Sequence, residues 1–194
     1  NEPMNLYALL ARHFPGDPAA PCLILPDDRV WTYEDIERAS GRIASLIASL
    51  GLKPGDRVAA QVEKSAEALV LYLACLRAGM VFLPLNPAYQ RHELEYFLGD
   101  ATPGLFVCRP QSRALADELA AKAGVPHVME LGDDGRGSLI EAATPHADAF
   151  ETVPRGRSIC VTSPVMTARV PKPMRVRNIF ICSGVVFCAS SRMM

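Results

Sequence analysis

Residues Gly55–Ala101 read GDRVAAQVEKSAEALVLYLACLRAGMVFLPLNPAYQRHELEYFLGDA. A short strand is predicted from Arg57, and a helix capped by Ser65 follows it. That helix is apolar almost all round, which is typical of a helix covered on more than one side. A second strand then leads, through a proline-rich loop, to a helix with apolar residues at i, i+3, i+4 and i+7. Strands that alternate with helices in this way predict parallel pairing, with helices on both faces of the sheet.

The same alternation continues on both sides of this run. Upstream, Thr32 caps a long helix with one apolar stripe, and Asp35 is placed to complete a capping box. The other predicted elements begin with a short helix at Asn5–His13 and a hairpin of Cys22–Leu25 with Arg29–Trp31. They continue with a strand at Leu105–Cys108, a helix at Ser112–Ala123, a strand at His127–Met129 and a helix at Leu139–Ala143. The predicted fold class is α/β, a partial doubly wound parallel sheet with flanking helices and an irregular C-terminal tail.

The composition changes near Arg155. The 194 residues are 49% hydrophobic, which is enough for a sizeable core. From Arg157 onward the chain has basic residues but no acidic one, and half of its 6 cysteines lie there. We therefore expect a domain at residues 1–155 and a divergent basic tail at 156–194. Within the tail, Ile179–Phe187 is a candidate strand and an aggregation-prone segment, because it is apolar, uncharged and free of proline.

Several classes of protein are disfavoured by composition and spacing. The sequence has no CxxC pair and no signal-peptide pattern, and its longest apolar run is too short to cross a bilayer. The basic residues of the tail are scattered, without a helical face or interleaved aromatics, which disfavours nucleic-acid and membrane binding. We expect a cytoplasmic protein with no metal site and no membrane span.

Three segments carry a resemblance to a known family: TYEDIERASGRIASLIASLGLKPGDRVA, KSAEALVLYLACLRAGMVFLPLNPAY and HELEYFLGDA. They resemble the N-terminal region of the AMP-forming acyl-CoA synthetases, an adenylating superfamily. The segments AAQVEKSAEALVLYLA, PLNPAYQRHELEYF and DGRGSL are most similar to malonyl-CoA synthetases. The resemblance covers about the first 155 residues and implies the N-terminal part of the large domain of such a ligase.

The resemblance also implies a reaction. In the family, a carboxylate attacks the α-phosphate of ATP to give an acyl-adenylate and pyrophosphate, and the thiol of coenzyme A then displaces AMP. It implies ATP, Mg²⁺ and CoA as cofactors, malonate as substrate, and a place in fatty acid metabolism. The triphosphate charge must be neutralised and the attacking oxygen held in line, which is the work of a phosphate-binding loop.

The sequence departs from the family pattern where that loop should begin. In the family a Ser/Thr/Gly-rich segment ending in Pro-Lys-Gly follows, but here residues 155–178 read RGRSICVTSPVMTARVPKPMRVRN. Thr162-Ser163 is the nearest match to the Ser/Thr-rich part of that segment, and Val170–Pro173 does not match its Pro-Lys-Gly ending. No glycine follows Thr162-Ser163 within this stretch, and without glycines there the backbone cannot wrap closely round a phosphate. We therefore expect a truncated ligase with no catalytic residue of its own, inactive alone and binding none of the cofactors tightly.

Few residues qualify as site candidates. Some relatives place an arginine directly after the Asn-Pro pair to meet a phosphate of CoA. Here Ala88 follows that pair, so Arg91 is the candidate for this contact. Glu63–Ser65 lies at a strand-to-helix junction, where parallel-sheet proteins often bind ligands, although a helix cap with surface charge explains it better. His92-Glu93 lacks the second histidine of a zinc-protease motif, because Tyr96 stands there.

Two other functions remain open. The chain is alternatively a non-catalytic binding or regulatory module that associates with a full-length synthetase. It is also compatible with an unrelated doubly wound domain that binds a nucleotide at its strand ends. In each case, self-association through an exposed sheet edge is possible, because a sheet that ends early leaves unpaired backbone groups.

Overall fold

The computed structural model describes residues 5–154 and the backbone of two further strands, Ile179–Cys182 and Val185–Cys188. The chain divides into two compact units, residues 1–158 and 159–194. The strands of the first unit are β1 Pro21–Ile24, β2 Val30–Thr32, β3 Arg57–Gln61, β4 Val81–Pro84, β5 Leu105–Cys108 and β6 Val128–Glu130. Its helices are α1 Leu6–Ala11, α2 Tyr33–Ser49, α3 Ala66–Ala78, α4 Arg91–Ala101, α5 Arg113–Ala123 and α6 Ser138–Ala143, and a 3₁₀ turn at Pro110–Ser112 precedes α5.

The main sheet has the strand order β4-β3-β5-β6, and every pairing within it is parallel. Val58 of β3 lies opposite Phe82 on one side and Leu105 on the other. Within the main sheet the first strand along the chain, β3, is an inner strand. The chain then adds β4 on one side of β3 and crosses over to add β5 and β6 on the other. The predicted α/β fold with a partial doubly wound sheet is confirmed. The hairpin prediction is also confirmed, since β1 and β2 pair antiparallel.

Helix boundaries follow local capping chemistry. The Thr32 hydroxyl accepts from the Asp35 amide at 3.1 Å, and the Asp35 carboxylate accepts from the Thr32 amide at 2.8 Å, so the predicted capping box is present. Ser65 caps α3 by accepting from the Ala68 amide at 3.0 Å. Gly79 ends α3 with a φ of 74°, a left-handed conformation that glycine adopts without steric cost.

The core lies on both faces of the main sheet. On one face, α4 and α5 cover a cluster of side chains that are almost fully buried, among them Ala59, Leu83, Leu98, Phe106 and Leu119. Strand residues of the opposite parity, such as Val58 and Val107, are just as inaccessible. On that other face α3 packs on the sheet, and α2 packs on α3.

Some predicted boundaries are wrong. The first helix ends at Ala11 instead of His13, because the His13 and Phe14 amides donate three residues back and close the last turn early. The helix predicted from Ser112 begins at Arg113, after the 3₁₀ turn. The segment predicted as one strand at Ile179–Phe187 holds two, β7 Ile179–Cys182 and β8 Val185–Cys188, which pair antiparallel. The apolar run hid this division, although Ser183-Gly184 is a turn-prone pair.

A segment after α6, residues 147–153, lies across α2 and α3; we call it the strap. Arg77 of α3 is 4% exposed and donates to the Phe150 carbonyl at 2.7 Å, while the Val153 amide donates to the Arg77 carbonyl at 2.9 Å. The other guanidinium nitrogen donates to the Glu37 carbonyl at 2.7 Å and to the Ser40 hydroxyl at 2.9 Å. Arg77 therefore joins α2, α3 and the strap.

Further contacts hold the strap at both ends. Ser45 donates to the Ala147 carbonyl at 3.0 Å, and Arg42 lies 3.6 Å from the Asp148 carboxylate. At the other end Asn5, which is 1% exposed, donates to the Val153 carbonyl at 3.0 Å and to the Leu76 carbonyl at 2.8 Å. The strap is thus tied to the start of the chain as well as to the two helices.

Candidate functional site

The best-placed candidate site lies at the carboxyl ends of β3 and β5. These neighbouring strands are followed by helices on opposite faces, since α3 packs with α2 whereas α4 and α5 lie together. The loops after β3 and β5 therefore leave the sheet in opposite directions. In open parallel sheets the crevice at such a switch point is where ligands bind.

An ion pair spans this switch point. Arg109, directly after β5, donates at 3.2 Å to the carboxylate of Glu63, which lies two residues after the end of β3. Its other terminal nitrogen donates to the Pro87 carbonyl at 3.0 Å. Arg109 therefore links its own loop, after β5, to the loops after β3 and β4. The Arg109 side chain is 21% exposed and that of Glu63 47% exposed. The pair is therefore open to solvent on the Glu63 side and anchored on the Pro87 side.

The buried side-chain amide of Gln61 supports the same carboxyl edge of the sheet. Gln61, the last residue of β3, is 1% exposed. Its side-chain nitrogen donates to the carbonyls of Asn86 and Tyr89, each at 3.0 Å, and lies 3.4 Å from that of Pro87. We call residues Asn86–Gln90 the edge loop, and three of its carbonyl groups thus lie against the end of β3.

The edge loop is ordered by its own contacts as well. The Asn86 side chain accepts from the Ala88 amide at 2.9 Å, and the Asn86 carbonyl accepts from the Tyr89 amide at the same distance. The Tyr89 ring stacks on Phe97 of α4 with centroids 5.2 Å apart. Burial raises the pKa of Tyr89, and the nearby Glu93 carboxylate adds to the rise. Asn86, Ala88 and Gln90 remain exposed and form the outer surface of the loop.

The Glu63–Ser65 and His92-Glu93 motifs singled out in the sequence act mainly as helix caps. Ser65 caps α3, and Lys64 is exposed, as the helix-cap interpretation of Glu63–Ser65 expects; Glu63 adds the contact to Arg109. In the His92-Glu93 pair, the Glu93 carboxylate accepts from the Gln90 amide at 3.0 Å at the start of α4. In residues 5–154 no group of three or more His, Cys, Asp or Glu side chains is placed to hold a metal ion.

Arg91 lies on the outer surface, at the first position of α4. Its guanidinium makes a two-pronged contact with the Glu118 carboxylate of α5, at 2.5 and 3.0 Å. This pairing raises the pKa of Arg91 and lowers that of Glu118. A phosphate would have to compete with Glu118 for the guanidinium, and the role of Arg91 in CoA binding stays a prediction. Thr162-Ser163 and Val170–Pro173 lie outside the described residues.

Another concavity occurs between α5 and the outer edge of β6. It has a volume of about 350 Å³ and is lined by Arg113, Asp117, His127 and Met129, among others. Arg113 is already paired with Asp117 at 2.9 Å.

Within the described segments, none of the helices is long and apolar enough to cross a membrane.

Sequence reasoning missed Gln61 and Arg109. Gln61 is the last residue of a buried strand, after Val-Ala-Ala, and Arg109 directly follows the buried strand Leu-Phe-Val-Cys. A polar residue at the carboxyl end of a predicted parallel strand was the available signal. What it touches could not be read from the sequence, because the partner carbonyls lie 25 or more residues away from Gln61 along the chain.

Comparison with known proteins agrees with this architecture. The profile of the AMP-binding enzyme family matches residues 10–177, so the match runs past Arg155 into the tail. Oxalate–CoA ligase of Arabidopsis thaliana is 38% identical over 108 residues, which are 56% of this chain and 20% of that protein. MatB from Rhodopseudomonas palustris is 47% identical, with a TM-score of 0.74 over 78% of this chain and 30% of MatB.

A more distant likeness is to the anthranilate CoA ligase AuaEII in complex with anthranoyl-AMP. It is 19% identical with a TM-score of 0.67, which supports the fold alone. This chain spans less than a third of the length of these relatives. The resemblance to the N-terminal region of the adenylating ligases is confirmed by the family match and by the fold, and the chain belongs to the AMP-binding enzyme family.

Proposed function

We propose that this chain forms the N-terminal part of the large domain of a malonyl-CoA-synthetase-like ligase. In such a ligase the carboxylate is activated with ATP and then transferred to coenzyme A. The 47% identity with MatB, a protein solved with ATP bound, supports the assignment more strongly than any other comparison cited here. The similarity of the segments AAQVEKSAEALVLYLA and PLNPAYQRHELEYF to malonyl-CoA synthetases supports malonate as the carboxylate.

The observation that carries the proposal is the switch-point site. Arg109, Gln61 and the edge loop build an ordered wall at the carboxyl ends of β3 and β5, where a doubly wound sheet binds its ligand. The wall offers one guanidinium, shared with Glu63, but no glycine-rich amide cradle for a triphosphate. Binding of ATP with Mg²⁺, and the chemistry itself, belong in this proposal to the whole ligase, which we place in the cytoplasm.

The first experiment uses the purified 194-residue chain. It is mixed with ATP, Mg²⁺, coenzyme A and malonate, and AMP release is followed against a blank without malonate. We expect no malonate-dependent AMP, because residues 155–178 depart from the glycine-rich phosphate-binding segment that the family uses. Malonate- and CoA-dependent AMP release above the blank would overturn the proposal that the chain is inactive alone.

The second experiment tests the assignment to this kind of ligase. Residues 5–154 replace the aligned segment of MatB from Rhodopseudomonas palustris, and malonate-dependent AMP formation is measured. We expect the chimera to keep activity within about tenfold of the parent, because residue contacts of a shared core are largely preserved when volume and pattern are kept. A folded chimera without activity would contradict the assignment.

The alternative function is a non-catalytic module that associates with a full-length synthetase. The outer edges of β4 and β6, which border the main sheet of the described unit, are the observation in its favour. Sedimentation velocity of the chain with and without a full-length relative distinguishes the two cases. A stable mixed complex favours the module, and self-association of the chain alone favours edge-to-edge pairing.

A further inference from the structure

We propose that Gln61 is a positioning residue that fixes the edge loop, Asn86–Gln90, as one wall of the ligase's substrate site. This inference rests on the proposed function, because it concerns the binding of the adenine nucleotides ATP and coenzyme A at the carboxyl edge of the sheet. Gln61 itself touches no substrate in this scheme. It acts through the loop backbone.

The contacts of Gln61 are directed at one short segment. A single side-chain nitrogen, which carries two hydrogens, serves carbonyl groups of three residues between Asn86 and Tyr89. The residue is 1% exposed, so its side-chain nitrogen is shielded from water and depends on these carbonyls for its hydrogen bonds. Loss of this donor removes a hydrogen bond from the loop carbonyls, of which Asn86 keeps the Tyr89 amide and Pro87 keeps Arg109 as a donor. Each hydrogen bond lost at a buried group weakens the hold on the loop.

The position of the loop gives the clamp a role beyond stability. The carbonyls of Asn86, Pro87 and Tyr89 face Gln61 and Arg109, and the exposed residues of the loop form its outer surface beside the switch point. The exposed residues of the loop include Ala88, whose methyl group lets a flat ligand approach the backbone. Without the clamp the loop would sample several positions, and binding would have to order it at a cost in affinity.

The chemistry of the clamp predicts an unusual pH dependence in one variant. In Gln61→Glu, the protonated carboxyl can donate one hydrogen bond to a loop carbonyl, whereas the carboxylate can donate none. Burial against carbonyl oxygens places the pKa of that carboxyl above the ordinary value for glutamate. The loop in this variant is therefore held at low pH and released as the pH rises. Gln61→Met has no donor at any pH, so its effect does not depend on pH.

The first test uses the whole chain and amide hydrogen exchange. In Gln61→Met we expect exchange of the Ala88 and Tyr89 amides to accelerate about tenfold or more, the effect of losing roughly one net hydrogen bond to a buried group. Gln111→Met makes the same chemical change at an exposed position and serves as the control, with loop exchange unchanged. In Gln61→Glu, exchange corrected for its intrinsic pH dependence should be slower at pH 5 than at pH 8.

The second test uses the MatB chimera that carries residues 5–154. Gln61→Met should raise KM for coenzyme A or for ATP about fivefold or more while kcat stays within about twofold, as expected when ground-state and transition-state binding weaken equally. Ala88→Trp should raise the same KM and leave the protection factor of the Tyr89 amide unchanged, because it obstructs the wall without removing the donor at Gln61.

The outcomes separate the two proposals. An inactive native chimera contradicts the proposed function, and the exchange data on the whole chain then decide whether Gln61 holds the loop. Unchanged loop exchange in Gln61→Met overturns the clamp. Faster loop exchange with both KM values unchanged in an active chimera shows that the clamp is only structural, which overturns the positioning role.

Discussion

At the scale of single residues, buried polar side chains do the long-range fastening in this molecule. Asn5, Gln61 and Arg77 are each at most 4% exposed, and each donates to carbonyl groups far along the chain. Such groups stabilise only while every partner is satisfied, since an orphaned buried acceptor costs more than a made hydrogen bond gains. Substitutions here should therefore cost more than their size suggests.

Arg77 allows a direct measurement of this effect. Arg77→Met removes the donor to Glu37, Ser40 and Phe150, and we expect the free energy of unfolding to fall by about 2 to 4 kcal/mol. Urea denaturation measures the change. Arg57→Met, at an exposed position in β3, is the matched control and should change stability by less than about 0.5 kcal/mol. Equal effects of the two substitutions would show that the buried contacts contribute little.

The buried thiols predict a pattern of reactivity. Burial raises the pKa of Cys108 to about 11 and that of Cys75 further, whereas Cys22 is only partly buried and its pKa rises less. Iodoacetamide at pH 8 should therefore modify Cys22 before Cys75 and Cys108, because the thiolate is the nucleophile. Peptide mapping by mass spectrometry checks the order. Early labelling of Cys75 in the folded chain would contradict the described core.

The same thiols affect stability at alkaline pH. The folded state keeps Cys108 protonated up to its pKa of about 11, whereas an exposed thiol in the unfolded chain ionises from its ordinary pKa of 9.0. The folded state thus binds more protons between these values, and stability falls as the pH rises through that window. Urea midpoints at pH 8 and pH 10 should differ in that direction, and less so in Cys108→Ser.

At the scale of elements, two helical glycines provide opposite expectations. Gly41 in α2 faces the strap, and a methyl group there would overlap the Asp148 carbonyl oxygen, whereas nothing lies within 4 Å of the corresponding position at Gly99 in α4. Gly99→Ala should stabilise the chain by up to about 1 kcal/mol through helix propensity. Gly41→Ala should destabilise it by about 1 to 3 kcal/mol, because the strap must move.

Thermal and urea unfolding of both glycine variants test the docking of the strap. A stabilising effect of Gly41→Ala would mean that residues 147–153 do not lie against α2 in solution. Hydrogen exchange across the strap gives an independent readout, and it should accelerate in Gly41→Ala but stay unchanged in Gly99→Ala.

At the scale of the whole molecule, the first compact unit holds the described main sheet and its flanking helices. The fastening of the strap to Asn5 and Arg77 lies within this unit. A polypeptide of residues 1–158 should therefore fold alone and unfold in urea at the same midpoint as the 194-residue chain. A clearly lower midpoint would show that residues 159–194 contribute to the stability of the first unit.

Local sequence patterns determined the α/β alternation, the capping box at Thr32, the left-handed end of α3 at Gly79 and the resemblance to the adenylating ligases. Each of these depends on residues within a few positions of one another, so their chemistry is written into short stretches of chain. Tertiary structure alone decided that Gln61 holds the edge loop, that Arg109 meets Glu63 and that Arg77 holds the strap. Those contacts join residues at least 25 positions apart, and only the packing of the sheet and helices brings them within hydrogen-bonding distance.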